Sequence, residues 1–213
     1  MKKILILSGP THEYIDPVRF IANASSGIMG KEISKQFSSS FHISFISGPV
    51  NKNNLPEKTD NIDIYNVISA NEMNNKALDI FPNVDICIFA AAVCDYQPKK
   101  KYSHKISSSQ KNLSLELLPT EDIAKNIGNI KKSNQICIGF SLQHDDDVEF
   151  AYNKLINKKL DLIILNHPSS IGTNNGQYTF IDKNKNIVRN TDVISKKKCS
   201  MFINDYINDQ IKR

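Results

Sequence analysis

Apolar runs bounded by turn residues recur along the chain at residues 2–8 (KKILILS), 42–47 (HISFIS), 63–68 (DIYNVI), 85–93 (DICIFAAAV), 113–118 (LSLELL), 135–140 (QICIGF) and 160–166 (LDLIILN). Several are apolar at consecutive positions, the pattern of strands covered on both faces. Helix-length segments lie between them at 28–38, 70–81, 120–131 and 146–159, and Thr120, Glu121 and Asp122 supply a start signal for the third. Strands alternating with helices predict an α/β fold: a Rossmann-like, doubly wound, mostly parallel sheet. Residues 178–182 and 187–190 flank a polar turn and predict a short C-terminal β-hairpin. From Thr191 or Asp192 onward the pattern is that of an amphipathic terminal helix.

One segment breaks the alternation. Residues 95–112, DYQPKKKYSHKISSSQKN, are rich in Lys and Ser and carry no apolar periodicity. A loop of that length inside a compact domain is uncommon unless it has a binding or covering role, so a flexible lid is expected over about 97–112. The length of 213 residues suits a single domain spanning 1–213.

Composition narrows the class. With 40% hydrophobic and 23% charged residues the chain is an ordinary globular one. No window approaches the roughly 18 apolar residues of a membrane helix, and the run after Met1 is too short for a signal sequence. A cytoplasmic protein without membrane contact is expected. Cys87, Cys94, Cys137 and Cys199 lack metal-ligand or CxxC spacing and read as small buried hydrophobes. The net charge of +5 comes mainly from lysine, but no basic stretch is interleaved with aromatics. Small anionic ligands fit that charge as well as a nucleic acid does, and no nucleic-acid partner is expected.

Candidate chemistry gathers at predicted strand ends, where ligands bind in an open parallel sheet. After the first strand comes SGPTHEYIDPVRFIANASSGIMG, residues 8–30. Gly27 and Gly30 flank the start of a helix, and Ser25, Ser26 and the free amides of its first turn form a phosphate cradle in chemical terms, with Gly9 and Thr11 in the preceding turn. The same residues also fit a plain strand-to-helix loop with a capping Ser and closely packed Gly. A dinucleotide-dependent dehydrogenase shares the sheet but not the turn, since SGPTHE replaces GxGxxG and the next strand ends in Ser47-Gly48-Pro49 rather than an acid. His12, Glu13, Asp16 and Arg19 crowd the loop. They are either a solvated ion-pair cluster or, given the interleaved Ile15, Val18 and Ile21, a packed and oriented one. Asn23 carries a neutral amide able to donate to and accept from a carbonyl or acyl-phosphate oxygen. Farther on, AAAVCDY (90–96) leaves room for a ligand beside Asp95. Lys99, Lys100, Lys101 and Lys105 follow in the lid, and Lys154 and Lys158 share one helix face.

These pieces resemble the phosphopantothenate–cysteine ligase (phosphopantothenoylcysteine synthetase) family of coenzyme A biosynthesis, in its stand-alone bacterial form. GPTHEYIDPVRFIANASSGIMG is similar to the family's long pattern, and AAAVCDY with Lys105-Ile106 is similar to its Ala-Ala-Val-Ala-Asp-Tyr and Lys-Ile; EDIA (121–124), Gly139-Phe140, the Lys154/Lys158 pair and LDLIILN also line up. The resemblance implies that 4′-phosphopantothenate and L-cysteine are joined through an acyl-cytidylate. CTP is the expected nucleotide rather than ATP, Mg²⁺ rides on the triphosphate without a dedicated protein site, and no flavin is expected. A homodimer is implied, with the lid of one subunit closing over the other's site. Asn23 takes the place of the residue holding the acyl-nucleotide, and Lys105 that of the lid lysine. Phe89, Ala90, Ala91, Asp95, Glu121, Asp122, Ile123, Ala124, Phe140, Lys154 and Lys158 take the places of nucleotide contacts, and Arg19 and Ala92 are assigned to the substrate pocket.

The chain departs from the family pattern in four places. Ser107 and Ser108 replace lid lysines, with Lys111 as the nearest substitute charge; Cys94 stands for Ala, Gln143 for an acid and His167 for Asp. A nucleotide-binding protein without catalysis is the alternative function on the same fold.

Overall fold

A computed structural model describes residues 1–107, 112–143 and 147–212. In chain order the strands and helices are β1 (Lys2–Ser8), β2 (His12–Tyr14), β3 (Phe20–Ala22), α1 (Ile28–Phe37), β4 (Phe41–Ser47), β5 (Ile62–Asn66), α2 (Ala70–Ile80), β6 (Ile86–Phe89), β7 (Tyr96–Pro98) and β8 (Leu117–Pro119). They continue with α3 (Ile123–Ile130), β9 (Ile136–Leu142), α4 (Val148–Asn157), β10 (Leu162–Asn166), β11 (Asn175–Gly176), β12 (Tyr178–Asp182), β13 (Ile187–Asn190), β14 (Ile194–Ser195) and α5 (Lys196–Ile211).

Eight strands form one sheet in the order β13-β12-β10-β9-β6-β1-β4-β5. The six from β10 to β5 are parallel, and β12 and β13 extend the sheet antiparallel as the predicted hairpin. The chain winds from β1 outward to β5, then returns to β6 on the other side of β1. Crossovers therefore part at the carboxyl ends of β1 and β6, where an open sheet leaves a ligand crevice.

Alternate residues of β1 serve opposite layers, as strand geometry demands. Ile4 and Ile6 pack with Ile33 and Phe37 of α1 and with Cys199, Ile203 and Ile207 of α5. Leu5 and Leu7 pack with Met73 and Ala77 of α2, Ile123 and Ile127 of α3, and Ala151 and Leu155 of α4. Each fully buried aliphatic side chain contributes roughly 1.5–3 kcal/mol, so the two layers hold the sheet rigid beneath the crevice. All four cysteines are buried and free. Burial, with Asp161 adding to it and Lys131 opposing, pushes the Cys137 thiol up to about 12. Among the described residues no helix is long and apolar enough to cross a membrane.

The chain departs from the sequence pattern in four places. The run at 113–118 does not join the core: β8 begins at Leu117, is exposed throughout and pairs only with β7 in a two-stranded ribbon. The apolar run at 85–93 is regular strand only to Phe89; beyond it Ala90 N and Ala92 N still donate to the Leu7 and Gly9 carbonyls at 2.9 Å, and the alanines line a cleft. The crowded loop after β1 folds into the β2–β3 hairpin. The terminal helix starts at Lys196 rather than Thr191 or Asp192. Tyr178 N donates to Thr191 Oγ1 at 3.0 Å, which ties Thr191 to β12, and the Ser195 side chain accepts from Lys198 N to cap α5.

Candidate active site

Ser8, at the end of β1, faces the start of α1. Its Oγ donates to the Gly27 carbonyl at 3.2 Å. Gly27 has φ 76°, and a Cβ there would also come within 2.9 Å of Val50, so Gly is required on both counts. Gly27, at the N-cap position of α1, has no side chain to cap the helix, and among the described residues no other side chain does so. Its first-turn amides are left to whatever enters the crevice, and their partial positive charge favours an anion.

That crevice is a cleft of about 1300 Å³. Its walls bring together Asn23, Ser25, Ser26 and Gly27 from the approach to α1, Phe89, Ala90, Ala91, Ala92 and Asp95 from the end of β6, Glu121, Asp122, Ile123 and Ala124 from the start of α3, Phe140 from β9, and Lys154 and Lys158 from α4. Segments more than a hundred residues apart thus meet over the carboxyl ends of several strands. A volume above the usual 300–1,000 Å³ of a single-ligand pocket suits a nucleotide together with a second substrate.

Several of these groups have fixed orientations. Asn23 Nδ2 donates to the Val93 carbonyl at 2.8 Å, which holds the amide at the cleft wall. Lys158 pairs with Asp122 at 2.9 Å, and the Asp122 side chain also accepts from Lys125 N as the cap of α3. Lys154 donates to the Phe140 carbonyl at 3.3 Å. Burial holds the Lys154 ammonium below its ordinary value, Lys158 adds to the effect, and Asp122 and Asp95 oppose it. Thr120 Oγ1 donates to the Cys94 carbonyl at 2.5 Å and Thr120 N to the Asp95 carbonyl at 3.0 Å, joining the wall after β6 to the start of α3.

Five of the predicted site residues do not line the cleft. Gly9 has φ 78°, and its carbonyl accepts from Ala92 N at 2.9 Å; Thr11 is fully buried, and its Oγ1 accepts from Cys94 N at 3.0 Å. Both brace the alanine wall from behind. Gly30 is a packing residue, since a Cβ there would fall 2.2 Å from Ser8 Oγ and force α1 off β1. Arg19 turns toward Ile106 instead: its Nη2 donates to the Ile106 carbonyl at 2.8 Å, and its Nε lies 3.8 Å from Asp16. Lys105, beside that anchored Ile106, is exposed. Of the segment expected to form a lid, residues 108–111, Ser108 and Lys111 among them, lie outside the described residues.

The crowded hairpin is packed rather than solvated. Glu13 is buried and accepts from Ala70 N at 2.7 Å at the head of α2. Buried Asp16 accepts from the amides of Val18 (2.8 Å), Arg19 (2.9 Å) and Ile106 (3.1 Å). Burial by itself raises the Asp16 carboxyl, but these amides, with Ile106 foremost, and the Arg19 charge outweigh it and hold the group below its ordinary value.

Sequence reasoning missed one side of the cleft. Ser170, Tyr178 and Lys196 also line it, from the turn after β10, from β12 and from the start of α5, and Asn166, the last residue of the LDLIILN run that lines up with the family, stands beside them. Lys196 stands in a run of three lysines, and nothing in the sequence separates it from its exposed neighbours Lys197 and Lys198. Among the described residues, Ser141 Oγ, Asn166 Oδ1 and the Tyr178 hydroxyl are buried without a hydrogen-bond partner. Among the described residues no group of three or more His, Cys, Asp or Glu is placed to hold a metal ion.

Comparison with known proteins follows the same lines. Residues 1–211 match the family described as the DNA/pantothenate metabolism flavoprotein C-terminal domain. The chain belongs to this family. It is 37% identical over 181 residues to the coenzyme A biosynthesis bifunctional protein CoaBC of Bacillus subtilis, covering 84% of this chain and 44% of that protein. It is 39% identical over 191 residues to a cysteine/cysteine sulfinic acid decarboxylase of an unknown prokaryotic organism, covering 87% of this chain and 52% of that protein. The chain therefore spans about half the length of the curated relatives it matches. Among solved structures, the C-terminal domain of a CoaBC protein superposes with a TM-score of 0.82 at 32% identity, covering 99% of this chain and 96% of that one. A mutant of Cab2 in complex with phosphopantothenate-cysteine shares the fold, with a TM-score of 0.75 at 19% identity over 99% of this chain and 87% of that one.

Proposed function

We propose that the chain is a phosphopantothenate–cysteine ligase that works through an acyl-cytidylate. The observation that carries this reading is the meeting, in one cleft, of the Asn23 amide, the uncapped start of α1 and the acid–lysine group of Asp95, Asp122, Lys154 and Lys158.

A carboxylate is a poor acyl donor until a good leaving group is attached. In the first step a carboxylate oxygen of 4′-phosphopantothenate attacks the α-phosphorus of the nucleotide; the new P–O bond forms as the bond to pyrophosphate breaks. In the second, the amine of L-cysteine attacks the acyl carbon, the C–O bond breaks, CMP leaves with that oxygen, and the amine loses its proton as the amide forms. Asn23, oriented by the Val93 carbonyl, holds the acyl oxygen without adding charge. The α1 amides with Ser25 and Ser26 receive phosphate oxygens. Lys105 neutralises phosphate charge from the lid, whose base is fixed by the Arg19 and Asp16 bonds to Ile106. Mg²⁺ arrives as part of the nucleotide and shields its charge.

CTP rather than ATP is assigned from the resemblance to bacterial members, and the named CoaBC relatives are bacterial. A homodimer is part of the same reading. Val18, Phe20, Tyr96, Leu117 and Leu118 are exposed on the two small ribbons, an apolar surface suited to a second copy. The test is direct: supply phosphopantothenate, cysteine, Mg²⁺ and each triphosphate in turn, and follow pyrophosphate and amide. Turnover fastest with CTP is expected. No turnover with any triphosphate would favour a nucleotide-binding protein without catalysis.

A further inference from the structure

The charges of the cleft are unevenly spread. Its three carboxylates, Asp95, Glu121 and Asp122, stand after β6 and at the start of α3, where they meet Lys154 and Lys158. Charge there is largely balanced within the protein. The opposite side lies over the layer covered by α1 and α5, and among the described residues it contributes no carboxylate to the lining. It holds Lys196 instead, at the first turn of α5, along with Tyr178 and the Ser25–Gly27 approach to α1.

Lys196 is only 8% exposed, and among the described residues it stands in no ion pair. Tyr178 is 1% exposed, and among the described residues its hydroxyl has no hydrogen-bond partner. Both groups line the same cleft, and Tyr178 packs in one buried cluster with Cys199, one turn beyond Lys196 on α5. Burial pulls the Lys196 ammonium below its ordinary value, with Cys199 opposing. A buried cation lacking a counter-ion, a buried phenol lacking an acceptor and a helix start lacking a cap are all donors. Each is satisfied by the same ligand, a multiply charged anion with acceptor oxygens only.

We propose that Lys196 and the Tyr178 hydroxyl, together with the first-turn amides of α1, bind the β- and γ-phosphates of the nucleoside triphosphate, and therefore the pyrophosphate that departs. The nucleoside then lies toward Asp95 and Asp122, whose carboxylates accept from sugar hydroxyls or the base amino group. This assignment rests on the ligase reading only for the identity of the nucleotide; the anion subsite itself follows from the side chains.

Titration calorimetry on the whole chain with inorganic pyrophosphate, CTP and CMP tests it. Lys196→Met, close in volume, should weaken pyrophosphate and CTP by at least about tenfold and leave CMP within about twofold, while Lys196→Arg restores most of the loss. Tyr178→Phe removes one hydroxyl without changing shape and should weaken pyrophosphate by roughly threefold or more, again sparing CMP; it decides the matter if the lysine variant fails to fold. Equal loss for all three ligands, or no loss in a folded variant, overturns the subsite. So does a wild-type protein with no affinity for pyrophosphate. A wild type that forms no amide yet shows the pyrophosphate-selective loss removes the ligase reading and leaves the subsite standing. Turnover with CTP alongside wild-type pyrophosphate affinity in Lys196→Met does the reverse.

Discussion

Asn23 Nδ2 donates to the Val93 carbonyl at 2.8 Å, linking the residue after β3 to the stretch after β6 across 70 positions of sequence. Asn23→Asp replaces that donor with an oxygen facing a carbonyl and sets a negative charge where the proposed acyl-nucleotide would be held. A fall of roughly 10²–10³-fold in kcat is expected, the usual cost of losing such a donor. Asn23 is exposed, so the thermal midpoint should barely move. Steady-state pyrophosphate release checks this, and unchanged turnover removes Asn23 from the mechanism.

Lys105 stands beside Ile106, whose backbone is gripped on both sides, yet Lys105 itself is exposed and outside the cleft lining. In the proposed ligase, Lys105 acts from the expected lid and contributes more to the reacting complex than to initial binding. Lys105→Gln should lower kcat by roughly tenfold or more, with KM for CTP within about threefold of wild type. Equal losses in both would make it a plain binding residue.

Asp16 couples the β2–β3 hairpin to the stretch around Ile106 through the Ile106 amide. Its native carboxyl lies below its ordinary value of 3.8, so over that window the folded chain binds this proton less readily than the unfolded chain. The resulting stabilisation is complete above the unfolded value and is lost as pH falls through the native one. Asp16→Asn should therefore melt earlier than wild type near neutrality, and the gap should close on acidification below about pH 4. A gap that stays constant down to about pH 3 contradicts the account. The protection of the Ile106 amide against hydrogen exchange should follow the same profile.

The parallel sheet was legible because its strands are buried on both faces and write continuous apolar runs, as KKILILS and LDLIILN do. The β7–β8 ribbon was not, because Leu117 and Leu118 look like core residues in a list of side chains and are exposed in the fold. Half of the cleft was readable from strand ends and helix starts close to one another in sequence, among them Asn23, Ser25 and Asp95. Gly9, Thr11 and Gly30 were misplaced by the same logic, since a small residue that braces a wall and one that receives a ligand carry the same letter. Lys196 and Tyr178 reach the cleft only because α5 packs against α1 beside β12, a long-range arrangement that no local pattern records.

The measurement closest to the central claim is the fate of the carboxylate oxygen. With 4′-phosphopantothenate labelled with ¹⁸O at both carboxylate positions, attack on the α-phosphorus followed by aminolysis predicts one ¹⁸O in the CMP released, one retained in the amide, and none in pyrophosphate. Label appearing in orthophosphate or pyrophosphate, or CMP carrying none while the amide forms, would contradict an acyl-cytidylate held in this cleft.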